Sequence, residues 1–401
     1  MTSETSGSAG TGKLTEIYTD AVGSIADRSN SRSTSGLSWW GRQPTWLKWM
    51  VYAFLGILLL TIVQGLNDID KLTSAPISRE MLRWSLPVLL AGLGGLFAER
   101  AGVVNIGLEG MMIMGTWFGA WGTVNFGSPW AGLVCAAVGG GLGGLLHAVA
   151  TVSFGVDHII SGVAINILAP GLTRFLSDQV FNGWEGGSIT QSPRAVGLPK
   201  IDVPLLAGRG GSTSLLGEID DEDWFFVSDV AGFLEGAMQG LSLFTIIAFL
   251  LVPLSGFVLW RTRLGLRIRI CGERPEAGES LGVNIYLHKY IGVITSGAFA
   301  GLAGGFIAME LAGIYREGQT LGRGFIGLAA LIFGNWRPGG VMVGSLVFGY
   351  PFVLALRDGT GESTHALLLV IVILLVVMLV VSIRKDRRND AIIAGSLGSA
   401  V

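Results

Sequence analysis

The chain is poor in the residues that build metal sites, disulfides and catalytic sets. It has two cysteines and four histidines in 401 residues. Cys135 lies in an apolar run and Cys271 in a basic segment, so we expect neither a disulfide nor a metal site. The chain has no G-x-x-x-x-G-K-[ST] stretch, which argues against a P-loop nucleotide site. No Ser, His and carboxylate stand at a recognisable triad spacing, so we predict no catalytic residue and no cofactor, and the histidines at 147, 158 and 365 are interpreted as incidental.

Charge is scarce as well, and apolar residues take its place. Only 14% of the residues are charged and the net charge is −2, so nothing indicates a nucleic-acid partner. Half of the residues are hydrophobic and the mean hydropathy is +0.59, which predicts an all-α protein that crosses the membrane several times. The 62 glycines fit close contacts between such helices, because lipid supplies no hydrophobic drive for helices to associate.

Apolar runs divide the chain into about ten predicted membrane spans. They cover residues 46–66, 82–98, 103–124, 130–154, 158–180, 241–260, 290–311, 325–333, 341–356 and 366–383, of which 325–333 is short. Asp157 stands where it would cap the fifth. The predicted domains are a disordered tail over residues 1–45, a membrane domain over 46–383 and a second tail over 384–401.

The distribution of Lys and Arg predicts the orientation. Residues 261–269 and 384–388 are the most basic segments, so both are expected in the cytoplasm. Ten spans satisfy both assignments and place both termini inside. The acidic loop 182–240 is then extracellular, and residues 261–289 form a cytoplasmic loop.

Residues 96–115 interrupt the apolar pattern with charged and amide side chains. Within a membrane each of these groups is costly unless it finds a partner. Asn105 and Glu109 are four apart, so a helix beginning near Val103 would place both on one face. One interpretation is a tight turn with a capping Glu, and the other is a broken intramembrane helix that lines a pathway. We expect Arg100 to pair with Glu99.

Polar side chains also occur in the fifth span and before the short one. Asn166 and Thr173 lie near one face of span 158–180 at helical spacing. Asn166 either lines a pathway or ties two helices together. Residues 310–327 include Arg323 and form either an extracellular gate or an exposed loop.

A faint internal repeat links the two halves of the chain. Glu99-Arg-Ala-Gly-Val103 closes the second predicted span, and Glu310-Leu-Ala-Gly-Ile314 closes the seventh. In the ten-span count the halves have opposite orientation, as in transporters that build a central site from broken helices. We therefore predict structural or gating roles for a set of five residues, namely Glu99, Arg100, Gly102, Glu310 and Arg323.

The cytoplasmic loop contains start and stop signals for a short helix. Pro275 suits the first turn, and Glu276 is favourable close to a helix N-terminus. Gly282 suits the end. Such a helix is either a surface on which a cytoplasmic partner docks or an ordinary interfacial helix.

Three separated segments resemble permease subunits of ABC importers of the branched-chain amino acid, simple-sugar and nucleoside group. Residues 97–111, 272–282 and 324–339 carry the likeness, which is strongest to nucleoside-type permeases that work beside basic-membrane-protein-type lipoproteins. The tail before residue 46 and the loop 182–240 are longer than usual for that family. Gly278 stands where the family usually has Ala.

The resemblance implies a type II importer fold with ten spans and an inverted repeat, in the cell membrane. It implies three partners: a second permease in a heterodimer, a cytosolic ABC ATPase that binds the ATP, and an extracellular substrate-binding lipoprotein. The solute would be a nucleoside or related sugar. Alternatives are a simple-sugar or branched-chain amino acid permease, or an ion-coupled secondary transporter.

Two sets of site residues follow from these patterns. The predicted substrate pathway comprises Asn105, Glu109, Asn166 and Thr173. The predicted segment for coupling to the ATPase comprises Gly272, Glu273, Arg274, Pro275, Glu276, Ala277 and Gly282.

Overall fold

The computed structural model describes residues 45–66, 72–201, 214–222 and 224–358. The predicted span 366–383, the tail 384–401 and residues 1–44 lie outside the described residues. The chain divides into two units after Leu58, inside its first described helix α1 (Thr45–Leu66), and the sections below concern the unit that begins at Leu59.

Helices dominate the described elements. They are α2 (Ala75–Arg100), α3 (Leu108–Phe126), α4 (Pro129–Ala148), α5 (His158–Val180), α6 (Leu215–Asp221), α7 (Val227–Met238), α8 (Leu243–Arg261), α9 (Arg263–Glu273), α10 (Pro275–Ser280), α11 (Ile285–Phe306), α12 (Arg323–Phe333) and α13 (Pro338–Asp358). A π-helical turn extends α4 over Val149–Ser153, and another extends α11 over Ile307–Leu311. Two short strands, β1 (Lys200–Ile201) and β2 (Leu241–Ser242), pair antiparallel.

Six helices of the described ranges are long and apolar enough to cross a membrane. They are α2, α4, α5, α8, α11 and α13, with the π-helical turns counted in α4 and α11. Helix α12 has only 11 residues, and α3 is long enough but carries too many polar and glycine residues to be counted. The prediction of a helical membrane protein with several spans is therefore confirmed. The described residues contain six such helices, and the predicted number of ten is not confirmed.

Helix ends follow capping groups more closely than they follow hydropathy. Asp157 accepts hydrogen bonds from the backbone N–H groups of residues 159 and 160 at 2.8 and 3.1 Å, which confirms the predicted cap of α5. Helix α11 begins five residues before the predicted span because Asn284 caps it through the Leu287 N–H at 2.9 Å. Helix α2 likewise begins at Ala75, where Pro76 suits the first turn.

Glycine backbones form the contact between α3, α4 and α11. A Cβ on Gly140 would lie 2.2 Å from the Gly297 carbonyl oxygen, and one on Gly115 would lie 2.2 Å from the Gly301 carbonyl oxygen. Only glycine fits at these positions, because any side chain would clash with the opposite backbone. The backbones consequently approach as closely as small-residue packing in membranes allows, which is the use that we predicted for the glycines.

The basic segment of the predicted cytoplasmic loop is helical. Helix α9 buries Gly265, Ile268 and Cys271 on one side and exposes Arg263 and Arg267 on the other. The exposed side also carries Leu264 and Leu266, so it presents both basic and apolar side chains.

Candidate substrate pathway and docking segment

Residues 101–107 form a loop that separates α2 from α3. Gly102 adopts a positive φ of 82°, and Gly107 precedes α3 with no side-chain cap of its own. Because α3 begins at Leu108, Asn105 lies in the loop and does not share a helical face with Glu109. The predicted helix start near Val103 is therefore wrong by five residues.

Asn166 of α5 makes hydrogen bonds with two backbone groups at the junction of this loop and α3. Its Nδ2 donates to the Ile106 carbonyl oxygen at 3.0 Å, and its Oδ1 accepts from the Gly110 N–H at 2.7 Å. One amide thus serves both a free acceptor and a free donor at the start of α3. Of the two interpretations of Asn166, the geometry favours the tie between helices.

Two histidines hold the same loop, and sequence reasoning missed them. His158 Nδ1 accepts from the Val104 N–H at 3.3 Å, while His147 Nε2 lies 3.2 Å from the Val104 carbonyl oxygen. His147 donates there if its proton is on Nε2, and Nδ1 then accepts from Ser161 Oγ at 2.8 Å. The interpretation of these two histidines as incidental is wrong. His158 begins a predicted span, which was an available signal, whereas His147 lies inside the predicted span 130–154; His365 lies outside the described residues.

Asn105 connects the loop to α11. Its Nδ2 donates to Ser296 Oγ at 2.9 Å, and the residue is completely buried. Among the described residues its Oδ1 has no hydrogen-bond partner, so one buried acceptor remains available.

Glu109 is a capping residue, but the helix that it caps is α12. Its Oε1 accepts from Thr320 Oγ1 at 2.6 Å and from the Gly322 N–H at 2.9 Å. Its Oε2 accepts from the Gly324 N–H at 2.7 Å. The carboxylate therefore sits at the positive end of the α12 dipole, more than 200 residues away in sequence.

Arg323, predicted as a gating residue, begins α12 and is almost fully buried. Its guanidinium carbon lies 4.6 Å from the centre of the Trp84 ring and 5.0 Å from that of Phe352. Nη1 donates to the carbonyl oxygens of Gln319 and Thr320 at 2.9 and 3.1 Å. The charge thus lies against two aromatic rings that also contact each other, with centroids 5.1 Å apart, an arrangement suited to the flat guanidinium of Arg.

The repeated pattern of the sequence has a structural counterpart. Gly102 and Gly313 occupy matching places in the two copies, and both have positive φ, 82° and 70°. Glu310, in the π-helical turn, pairs with Arg83 at 3.3 Å and with Lys200 at 3.5 Å. Each copy therefore ends its helix with a carboxylate and a left-handed glycine.

Glu99 and Arg100 both bind the turn between α12 and α13. Trp336 Nε1 donates to the Glu99 carboxylate, and Arg100 Nη2 donates to the Trp336 carbonyl oxygen at 2.9 Å. Arg100 also lies 4.0 Å from Glu273. We expected Arg100 to be the partner of Glu99, but Trp336 holds both.

Thr173 faces the packed side of α5. It is fully buried and donates to the Ala169 carbonyl oxygen at 2.9 Å, inside its own helix. The opposite side of α5 is exposed, with Ile167 at 74% and Phe175 at 60%. The predicted pathway residues on α5 therefore point away from its open face.

The short helix predicted in the loop 261–289 is present as α10. It begins at Pro275, and Gly282 ends it with a positive φ of 74° while the Val283 N–H donates to the Gly278 carbonyl oxygen at 3.0 Å. The remaining predicted coupling residues lie just before α10 or within it, and all five are exposed: Gly272, Glu273, Arg274, Glu276 and Ala277. Leu281 is 76% exposed and adds an apolar contact point.

A cavity of about 200 Å³ lies between α10 and the loop 101–107. Its lining includes Val103 from the loop, His158 from α5, and Pro275 and Glu279 from α10. Helix α10 and the loop 101–107 therefore line the same cavity.

Comparisons with known proteins agree on one group. NupQ of Bacillus subtilis, a guanosine ABC transporter permease, is 38% identical over 281 residues, which cover 69% of this chain and 80% of NupQ. NupC of Lactococcus lactis, a nucleoside ABC transporter permease, is 38% identical over 285 residues, 70% of this chain and 81% of NupC. TsgC13 of Haloferax volcanii, provisionally named a glucose ABC transporter permease, is 36% identical over 271 residues, 68% and 74% of the two chains.

All three of these organisms also contain a second, more distant relative, which in H. volcanii is TsgB13 at 27% identity. NupP of B. subtilis is 28% identical to this chain, and NupB of L. lactis is 22% identical. No solved structure matches the chain. The family model for the permease component of the branched-chain amino acid transport system matches residues 78–380, and the chain belongs to that family.

Proposed function

We propose that this chain is the membrane-spanning permease subunit of an ATP-driven importer of nucleosides or related sugars. The observation that carries the proposal is the 38% identity to permeases named for guanosine and for nucleosides, over about seven-tenths of the chain. The proposal includes ten spans in a type II importer fold, with both termini in the cytoplasm. The chain hydrolyses no ATP itself.

The α12 N-terminus supports a neutral solute over an amino acid. Helix α12 has 11 residues and is about 16 Å long, roughly half of a bilayer core of about 30 Å. In transporters with broken helices, such half-helix N-termini bind anionic groups of the substrate. Here the Glu109 carboxylate already occupies that position with three hydrogen bonds. A solute carboxylate would be repelled there, whereas a nucleoside or sugar would not.

The exposed side of α5 supports a second permease as partner. Arg174 lies within this span, is 61% exposed and pairs with Glu317 at 3.8 Å. A charged Arg that faces lipid inside a span is costly, so this face suits a partner subunit or an aqueous pathway. Paired permeases in the organisms of the two relatives agree with a heterodimer.

The two membrane faces suggest the other partners. Helix α10 with its exposed neighbours suits docking of a cytosolic ABC ATPase, which would bind the ATP. The 182–240 segment on the opposite side suits docking of a substrate-binding lipoprotein. Glu276 in α10 offers a charged contact, and Leu281, directly after the helix, offers an apolar one.

The test is uptake of radiolabelled guanosine and adenosine, with ribose and leucine as comparison solutes, in cells that express this chain with its chromosomal neighbours. The neighbouring ATPase is used intact and with its Walker lysine replaced. We expect nucleoside uptake that disappears with the lysine. Leucine uptake alone would favour the amino acid alternative. Uptake that survives loss of the lysine and collapses with the proton gradient would contradict the ABC assignment in favour of an ion-coupled transporter.

A further inference from the structure

Near the end of α9, the backbone of Gly272 touches the backbone at the end of α2 and the start of the loop 101–107. A Cβ on Gly272 would lie 2.5 Å from the Arg100 carbonyl oxygen and 2.9 Å from the Gly102 nitrogen. A Cβ on Gly102 would lie 2.9 Å from the Gly272 Cα, and the positive φ of Gly102 disfavours a side chain as well. The contact therefore has no side chain that could change rotamer and absorb a displacement.

Arginine and tryptophan side chains fasten this contact. The Arg100 guanidinium lies 5.3 Å from the centre of the Trp260 ring, and Arg269 of α9 lies 6.0 Å from the same ring. Arg269 Nε also donates to the Leu259 carbonyl oxygen at 2.9 Å, and Arg100 lies 4.0 Å from Glu273. Trp260, at the end of α8, thus joins α2 to α9.

The end of α2 also contacts the turn that follows α12. Arg100 donates to the Trp336 carbonyl oxygen at 2.9 Å, and Trp336 Nε1 donates to Glu99. Asn335 and Trp336 both have positive φ, 50° and 51°, which is unfavourable for residues with a Cβ and persists only where surrounding contacts hold the turn. The end of α2 therefore contacts the loop before α3 and the turn after α12.

Helices α3 and α12 also contact each other directly, because the Glu109 carboxylate near the start of α3 caps α12. A displacement of α9 consequently reaches both interrupted helices through one contact. Packed interiors transmit such displacements because they compress little.

We propose that the Gly102–Gly272 contact transmits the movement of the docking segment α9–α10 to α3 and α12, and that Arg100, Trp260 and Trp336 are positioning residues for it. This inference rests on the proposed function, in which an ATPase moves α10. It goes beyond the predicted coupling role of Gly272 because it names Gly102 as the contact through which the movement passes.

The principal test is Gly272→Ala in the assembled transporter in proteoliposomes, with guanosine uptake and ATP hydrolysis measured together. The added methyl group displaces α9 from the loop, so we expect guanosine moved per ATP hydrolysed to fall roughly tenfold, within the usual range of coupling between two sites. The control is Gly256→Ala in α8, where a Cβ would lie 3.8 Å from Pro338 Cγ, an ordinary contact. We expect the control to retain the wild-type ratio.

Labelling of Cys271 reports the contact without using transport. This thiol is 1% exposed, and burial raises its pKa, so maleimide reacts with it slowly. Cys135 is replaced by Ser to leave one thiol. We expect Gly272→Ala to accelerate labelling at least about threefold, because local opening exposes the neighbouring residue. An unchanged labelling rate together with an unchanged transport ratio would overturn the inference.

Two substitutions at Trp260 keep the inference testable if Gly272→Ala does not assemble. Phe retains an aromatic face for Arg100 and Arg269, whereas Leu does not. We expect Trp260→Phe to keep most of the coupling and Trp260→Leu to lose it; equal ratios in both would overturn the positioning role. Wild-type uptake that needs no ATP would instead refute the proposed function, whatever the variants do.

Discussion

At the residue scale, single polar side chains close the gaps that the interrupted helices leave in the backbone. Asn166 does so with both of its functions, since it donates to the Ile106 carbonyl oxygen and accepts from the Gly110 N–H. Neither Asp nor Leu can perform both tasks. Glu109 does the same for α12 with its two carboxylate oxygens. In a membrane such groups have no water to replace a lost partner.

We predict that Glu109→Gln destabilises the chain and reduces uptake. The amide keeps one acceptor oxygen, but its NH₂ would face a backbone N–H at the α12 N-terminus, and hydrogen bonds to a charged group contribute about 1.5–3 kcal/mol each. Thermal unfolding of the purified chain in detergent should therefore begin at a lower temperature.

Glu222→Gln is the matched control, because Glu222 is exposed and surface changes usually alter stability by less than about 0.5 kcal/mol. An unfolding temperature for Glu109→Gln equal to that of the wild type would show that the three hydrogen bonds contribute nothing.

At the scale of elements, α10 combines a fixed inner side with an open outer side. Gly278 packs against its neighbours so closely that a Cβ would lie 2.8 Å from Ile270 Cγ2 and 2.9 Å from Ile285 Cδ1. Glu276 and Ala277 are exposed on the same six-residue helix. The exposed side of α10 is therefore available to a partner, while its buried side keeps the helix in place against α9 and α11.

We predict that Glu276→Lys abolishes ATP-driven uptake while the chain still reaches the membrane. A positive charge at the α10 N-terminus costs the helix only about 0.3–1 kcal/mol, but it reverses the charge offered to the ATPase. Uptake and co-purification of the ATPase are the measurements. Glu276→Gln, which removes the charge without reversing it, should show an intermediate loss; normal uptake in the Lys variant would remove the docking role from α10.

At the scale of the whole molecule, the proposed orientation depends on the distribution of charge. The basic α9 and the short helix α10 follow one span, α8, and the 182–240 segment follows another, α5. In the proposed orientation the positive-inside rule assigns the first group to the cytoplasm and leaves the second outside.

We predict that a cysteine at position 185 is labelled from outside the cell and that one at position 279 is not. In a chain carrying Cys135→Ser and Cys271→Ser, Glu185→Cys should react with a membrane-impermeant maleimide in intact cells. Glu279→Cys should react only after permeabilisation. Both native residues are exposed, so access depends on the side of the membrane. The reverse pattern would invert the proposed orientation.

Short-range patterns were predictable from the sequence, and contacts across the chain were not. Asp157, Pro275 and Gly282 marked helix ends correctly because a cap acts within four residues of itself. The partner of Glu109 could not be foreseen, since its charge suits any nearby helix N-terminus and the actual one begins after residue 320. Trp336 was missed as the partner of Glu99 for the same reason.

The sequence by itself determined that the chain is a helical membrane protein of this transporter group. Hydropathy, composition and short motifs are properties of neighbouring residues in the chain and do not depend on how the helices pack. Only the tertiary structure decided that Asn166 and Glu109 complete interrupted helices and that Gly272 meets Gly102. Those pairings depend on how the helices pack, because a buried polar group or a bare backbone is satisfied by whichever neighbour the packing brings within reach.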